Sequence, residues 1–133
     1  MTKNANTDLP AFAPLRSVGL DRQPGCLFVG DPLSLHRARQ ILAGSLTLDH
    51  CQIYDLAHVL HDGPHPAMVL SFAITPLFDC LDLAQMLSLN RFQGRLRLVD
   101  VTLPAPDMIC REVRMACPGI DFGVLHMSEL RAV

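Results

Sequence analysis

Lysine is nearly missing from this chain: Lys3 stands in the N-terminal segment and no other follows it. No ammonium group is available elsewhere to gather phosphoryl or other oxyanion charge. A surplus of either charge is missing too. Lys and Arg number 11 against 13 Asp and Glu, and the net charge of -2 offers no general attraction to nucleic acid or anionic lipid. The apolar runs are strand-sized, short of the roughly 20 residues a membrane helix needs, and residues 1–25 lack the apolar block of a signal peptide. The expectation is a soluble, cytoplasmic protein with neither a membrane nor a nucleic-acid partner. No C-x-x-C pair occurs among Cys26, Cys51, Cys80, Cys110 and Cys117, and five thiols cannot all pair within one chain. Their apolar neighbours mark them as reduced core residues. Nucleophile-elbow, Walker, G-x-G-x-x-G and zincin motifs are missing, which leaves catalysis little to stand on; the expectation is a protein that is not an enzyme and carries no cofactor.

What is present is a chain of 133 residues, half of them hydrophobic, enough for one domain with a real core. Residues 1–24 mix polar residues with three prolines and show no periodicity, so they read as a flexible N-terminal arm ahead of a domain over 25–133. From Cys26 onward short apolar runs alternate with helical patterns. Residues 26–29 read as a buried strand, and 33–46 as a helix behind Asp31-Pro32, with Leu35, Ala38, Ile41 and Leu42 at helical spacing. Further strands are expected over 51–56, 67–72, 96–101 and 122–125, with helices over 57–61, 78–89 and 106–116. Strict alternation predicts a parallel sheet covered on both faces, because each parallel crossover leaves the sheet and returns with one hand. Five strands then give an α/β, flavodoxin-like doubly wound sheet of order 2-1-3-4-5, with function at the carboxyl ends of its strands. Residues 128–133 amount to about one and a half turns, a short or missing fifth helix, which predicts an undercovered apolar sheet face suited to self-association or docking.

The order of elements and the stretch Phe72-Ala-Ile-Thr-Pro76-Leu-Phe-Asp79-Cys80, continued by Leu83, Ala84 and Leu87, resemble the receiver domains of bacterial two-component response regulators. Phe92-Gln-Gly-Arg-Leu-Arg-Leu-Val99 has the same look, and the resemblance covers residues 26 to 130. It implies an acidic pair after the first strand, a phosphoacceptor Asp ending the third, a Thr or Ser after the fourth and a Lys after the fifth. With Pro76 and Asp79 setting the register, the acceptor position holds Phe72, the acidic pair is reduced to Gly30 and Asp31, and His126-Met127 replaces Lys-Pro. The hydroxyl position falls on Asp100, or on Thr102 if the register shifts by two. A magnesium site that needs several oxygen ligands loses two of its usual carboxylates. The resemblance therefore implies a degenerate phosphorylation site, with no metal and no catalytic residue, in a stand-alone, phosphorylation-independent phosphorelay-type protein. Such a protein would act by binding a signalling partner or itself.

Other readings of the same residues stay beside this one. Burying Phe72 contributes about 2 kcal/mol, so the site is equally legible as plain core. Asp31, Asp100 and His126, gathered at one edge, form the polar group of an alternative small-molecule or metal-binding sensor or enzyme, or a simple His-Asp rim. His58, His61 and His65 have a metal-like spacing, but Asp62-Gly63-Pro64 interrupts any common helix, which favours loop histidines. A flavin phosphate is disfavoured by Asp31 in the first strand-helix turn.

Overall fold

The computed structural model describes residues 25–44, 47–100 and 103–132; the arm over 1–24 and Thr102 lie outside the described residues. Four strands follow closely where the apolar runs put them: β1 (Cys26–Val29), β3 (Met68–Ser71), β4 (Arg95–Leu98) and β5 (Asp121–Val124). With β2 (Leu48–Cys51) they form one parallel sheet of order β2-β1-β3-β4-β5. The register runs Cys26 against Leu48 and Met68, Met68 against Arg95, and Arg95 against Asp121. Every residue of β1 and β3 is buried, as expected of central strands covered on both faces.

The helices are α1 (Pro32–Leu42), α2 (Leu56–Asp62), α3 (Cys80–Leu89) and α4 (Pro106–Ala116). Asp31 caps α1, with Pro32 as its first residue, and Ala43 and Gly44 end it at φ 52 and 72. That left-handed stop corrects the helix expected to run on to residue 46. Asp79 and Asp82 form a reciprocal capping box on α3. The box moves the start of α3 to Cys80 from the expected 78, since Phe78 belongs to a tight turn: Thr75 N donates to Phe78 O at 2.9 Å.

One strand was expected in the wrong place. The run 51–56 is not a strand; β2 ends at Cys51, Ile53–Asp55 is a 3-10 turn, and Leu56 opens α2. Leu56 and Leu60 are buried at i,i+4 spacing and anchor α2. β2, with Asp49 exposed and His50 partly so, is an edge strand whose sequence LDHC carries no apolar run.

Two cores flank the sheet. One holds Leu27, Val69, Leu83, Leu87, Leu96 and Phe122 against α2, α3 and α4; the other holds Phe28, Leu35, Leu42, Leu70, Phe72 and Leu130 against α1 and the closing 3-10 segment Met127–Ala132. That segment stands where a full fifth helix was expected to be short or missing. The face beside it is not the apolar patch the sequence predicted. Arg95 and Arg97 of β4 project there and are held by Glu129, with Arg97 Nε to Glu129 Oε2 at 3.0 Å and Arg95 Nη1 to the same oxygen at 3.3 Å. Arg97 also reaches Asp121 Oδ1 at 3.1 Å. Among the described residues no helix is long and apolar enough to cross a membrane.

Candidate functional site at the carboxyl edge

The loops after β1, β2 and β3 meet at the point where strand order reverses, which in this topology is where ligands bind. Gly30 is clamped between strands: its N–H donates to Cys51 O at 3.1 Å, and His50 Nε2 donates to its carbonyl at 2.6 Å. A carbonyl only accepts, so the contact fixes the proton of His50 on Nε2. A Cβ at position 30 would stand 2.9 Å from Cε2 of the buried Phe28 ring. The space beside Gly30 is already taken.

Asp31 spends its carboxylate on its own helix. Oδ1 accepts from the Ser34 hydroxyl at 2.6 Å and Oδ2 from Ser34 N at 3.2 Å. The hydroxyl hydrogen bond holds the Asp31 carboxyl below its usual range, against an opposing push from partial burial.

Phe72 follows β3 and is 2 % exposed. Its ring meets Phe28 edge-on at 6.0 Å and 75°, and the Arg37 guanidinium lies 4.3 Å above its centroid. Aromatic and cation–π contacts of this kind add about 0.5–1 kcal/mol each to simple burial. Position 72 therefore belongs to the α1-side core. Next to it the Ser71 hydroxyl donates to Val29 O at 3.0 Å and ties β3 to β1.

Asp100 accepts from Ala73 N at 2.9 Å, so its carboxylate holds the loop after β3 in place. Cys80 N to Ala73 O at 2.8 Å, the Ile74–Asp79 bridge and Phe78 N to the Thr75 hydroxyl at 3.2 Å complete that loop. The crevice between β1 and this loop, lined by Gly30, Asp31, Ile53, Thr75, Leu77 and Phe78, encloses only about 10 Å³. That is room for about one water molecule.

The expected polar group is divided. Asp31 lines this crevice, whereas Asp100 and His126 line an open groove of about 1180 Å³ between α4 and the β5 edge. The groove's charges are mixed and several are engaged: Arg97 as described, and Arg114 through Nη2 to Phe122 O at 2.8 Å, which covers part of the exposed strand edge. His126 is exposed, and its backbone N–H donates to Glu129 Oε1 at 3.2 Å. Among the described residues no three His, Cys, Asp or Glu side chains are grouped to hold a metal ion. His58 pairs with Asp62 at 2.8 Å, and His65 Nε2 donates to Leu60 O at 3.0 Å, so these histidines serve α2 and its exit.

All five cysteines are buried and unpaired. Burial pushes the thiols of Cys26 and Cys80 up to about 11 and that of Cys51 to about 12, and it raises Cys117 as well. Cys26, Cys51, Cys80 and Cys117 are therefore not poised as nucleophiles at neutral pH.

Sequence reasoning did not find His50, Ser71 or Arg37 as parts of this edge. His50 was hidden by the misplaced second strand, and the roles of Ser71 and Arg37 depend on partners 42 and 35 positions away in the chain. The chain matches no protein-family model, and no curated protein matches it.

Proposed function

We propose that this chain is a receiver-like signalling protein of the phosphorelay type that works without phosphorylation, by binding another protein. The observation that carries the reading is Phe72. The residue at the acceptor position is packed against Phe28 beneath Arg37, in a fold of receiver-like strand order. Gly30, which has no room for a side chain, and a crevice of about 10 Å³ support it further. Phosphoryl transfer needs a carboxylate acceptor, a metal held by several oxygens and a cation for the developing charge. Here Asp31 is committed to capping α1, Asp100 to holding a loop, and His126 stands where a lysine would be.

Incubation with acetyl phosphate, or with beryllofluoride, in the presence of magnesium tests this reading. The expected result is an unchanged mass and unchanged near-UV circular dichroism. A mass gain of one phosphoryl group, or a spectral change with beryllofluoride, overturns it.

A further inference from the structure

We propose that the carboxyl edge of the sheet is a docking surface for a basic amphipathic segment of a partner protein, an apolar face flanked by Lys or Arg. The proposal gives the partner chemistry of the binding role above and rests on that reading.

Four large apolar side chains stand in water at this edge: Leu33 is 70 % exposed, Tyr54 67 %, Ile74 79 % and Leu77 65 %. They come from the three segments whose residues line the closed crevice. Leu77 lines it directly, Tyr54 and Ile74 each adjoin a lining residue, and Leu33 is two positions from Asp31. Single exposed apolar residues are ordinary, but here four fall on three segments that meet at one crevice, and exposed apolar residues brought together mark protein interfaces. The loop bearing Ile74 and Leu77 is held by the Asp100, Thr75 and Cys80 hydrogen bonds, so presenting them costs little ordering on binding.

The charge around this patch is mainly negative. The three segments that meet here carry Asp31, Asp55, Asp79 and Asp82 up to the first turn of the helix each leads into, and neither Lys nor Arg; Asp100 and Asp107 line the mixed-charge groove beside α4 instead. One guanidinium, that of Arg37, stands one helical turn beyond Leu33 on α1 and is taken up over the Phe72 ring, 4.3 Å from its centroid. Carboxylates around an apolar centre repel anionic lipid and nucleic acid and attract Lys or Arg on the flanks of an apolar stripe. A symmetric pairing of two copies through this edge would set carboxylates against carboxylates. A small molecule finds no cavity there, since the crevice between the loops is filled.

The test uses the full chain and a fluorescent helical peptide of about 18 residues with Leu on one face and Lys on both flanks, a length that presents several helical anchors. A second peptide carries Glu in place of every Lys. The Lys peptide binds, the Glu peptide does not, and affinity falls as salt is raised from about 50 to about 300 mM. The double variant Ile74→Ser, Leu77→Ser weakens binding about tenfold or more while keeping the wild-type melting temperature, because both side chains are exposed. Asp55→Asn with Asp79→Asn, which keeps a capping residue on α3, weakens binding and flattens its salt dependence. Leu89→Ser, an exposed site at the far end of α3, leaves binding unchanged. Failure of the Lys peptide to bind overturns the proposal, as do equal binding of the Glu peptide, unchanged binding by the Ile74 and Leu77 double variant, and an equal loss in Leu89→Ser. A protein that binds the peptide at this edge yet takes up phosphate keeps the surface and loses the reading above. One that resists phosphate and ignores the peptide loses the surface alone.

Discussion

Gly30 and Phe72 are linked through one ring. Phe28 occupies the volume next to Gly30 and receives the edge of Phe72, so two separated sequence positions share one packing solution. A side chain at 30 must displace a fully buried aromatic. Gly30→Ala is therefore expected to cost about 1–3 kcal/mol by overpacking. Phe28→Leu frees the space, and the double variant is expected to be more stable than the sum of the two single losses. Urea unfolding of the four proteins measures that coupling. Additive losses would mean that Gly30 is small for another reason. The sequence alone displayed Phe72 at the end of an apolar run. It could not display why position 30 is glycine, since nothing in the chain order says which ring lies 2.9 Å from an absent Cβ.

At the scale of elements, β4 reads RLRL and β5 reads DFGV, each alternating polar and apolar residues. Alternation means one wet or polar face and one apolar face, in contrast to the continuous CLFV and MVLS of the central strands. The face beside the closing segment was thus readable as polar, and the expectation of an apolar patch overlooked it. Glu129 makes that face workable by meeting two arginines at once. Its side chain and that of Arg97 are mostly shielded from water, so removing the carboxylate leaves two guanidinium groups short of a partner. Glu129→Ala is expected to lower stability by about 2 kcal/mol. Glu129→Ala combined with Arg95→Leu and Arg97→Leu should recover most of it, as measured by thermal unfolding. A single variant within about 0.5 kcal/mol of wild type would show that the network is an ordinary surface ion pair.

For the whole molecule, thiols distributed over both cores tie stability to alkaline pH. Cys26 lies in the α1-side core and Cys51, Cys80 and Cys117 in the other. Burial raises Cys26 and Cys80 to about 11 and Cys51 to about 12, whereas unfolded thiols ionise near about 8.5. A group whose folded pKa is raised contributes stability that is complete below the unfolded value and is lost as pH rises toward the folded one. The urea midpoint should thus hold from about pH 7 to about pH 8.5 and fall by about pH 10, with a smaller fall in Cys51→Ala. An unchanged midpoint across that range would contradict the buried, protonated state of these thiols.

The sequence by itself determined the parallel five-stranded order, because two continuous apolar central strands within a strict strand-helix alternation admit few other packings. It also determined which residue types reach the edge, since a residue type is legible without coordinates: an aromatic at Phe72, and no lysine after Lys3. The cap at Asp31 was legible as a local signal for the same reason, its partner Ser34 lying three residues away, whereas the cap at Asp79 was missed by starting the helix at 78. Only the tertiary structure decided the rest. It set β2 on the polar run LDHC, since an edge strand is chosen by its pairing with β1 and not by its own hydrophobicity. It separated Asp31 from Asp100 and His126, which topology brings to one edge but side-chain partners turn to different tasks. It also brought the three segments that carry the exposed Leu33, Tyr54, Ile74 and Leu77 to one crevice, a proximity that arises when parallel strands end at a common edge.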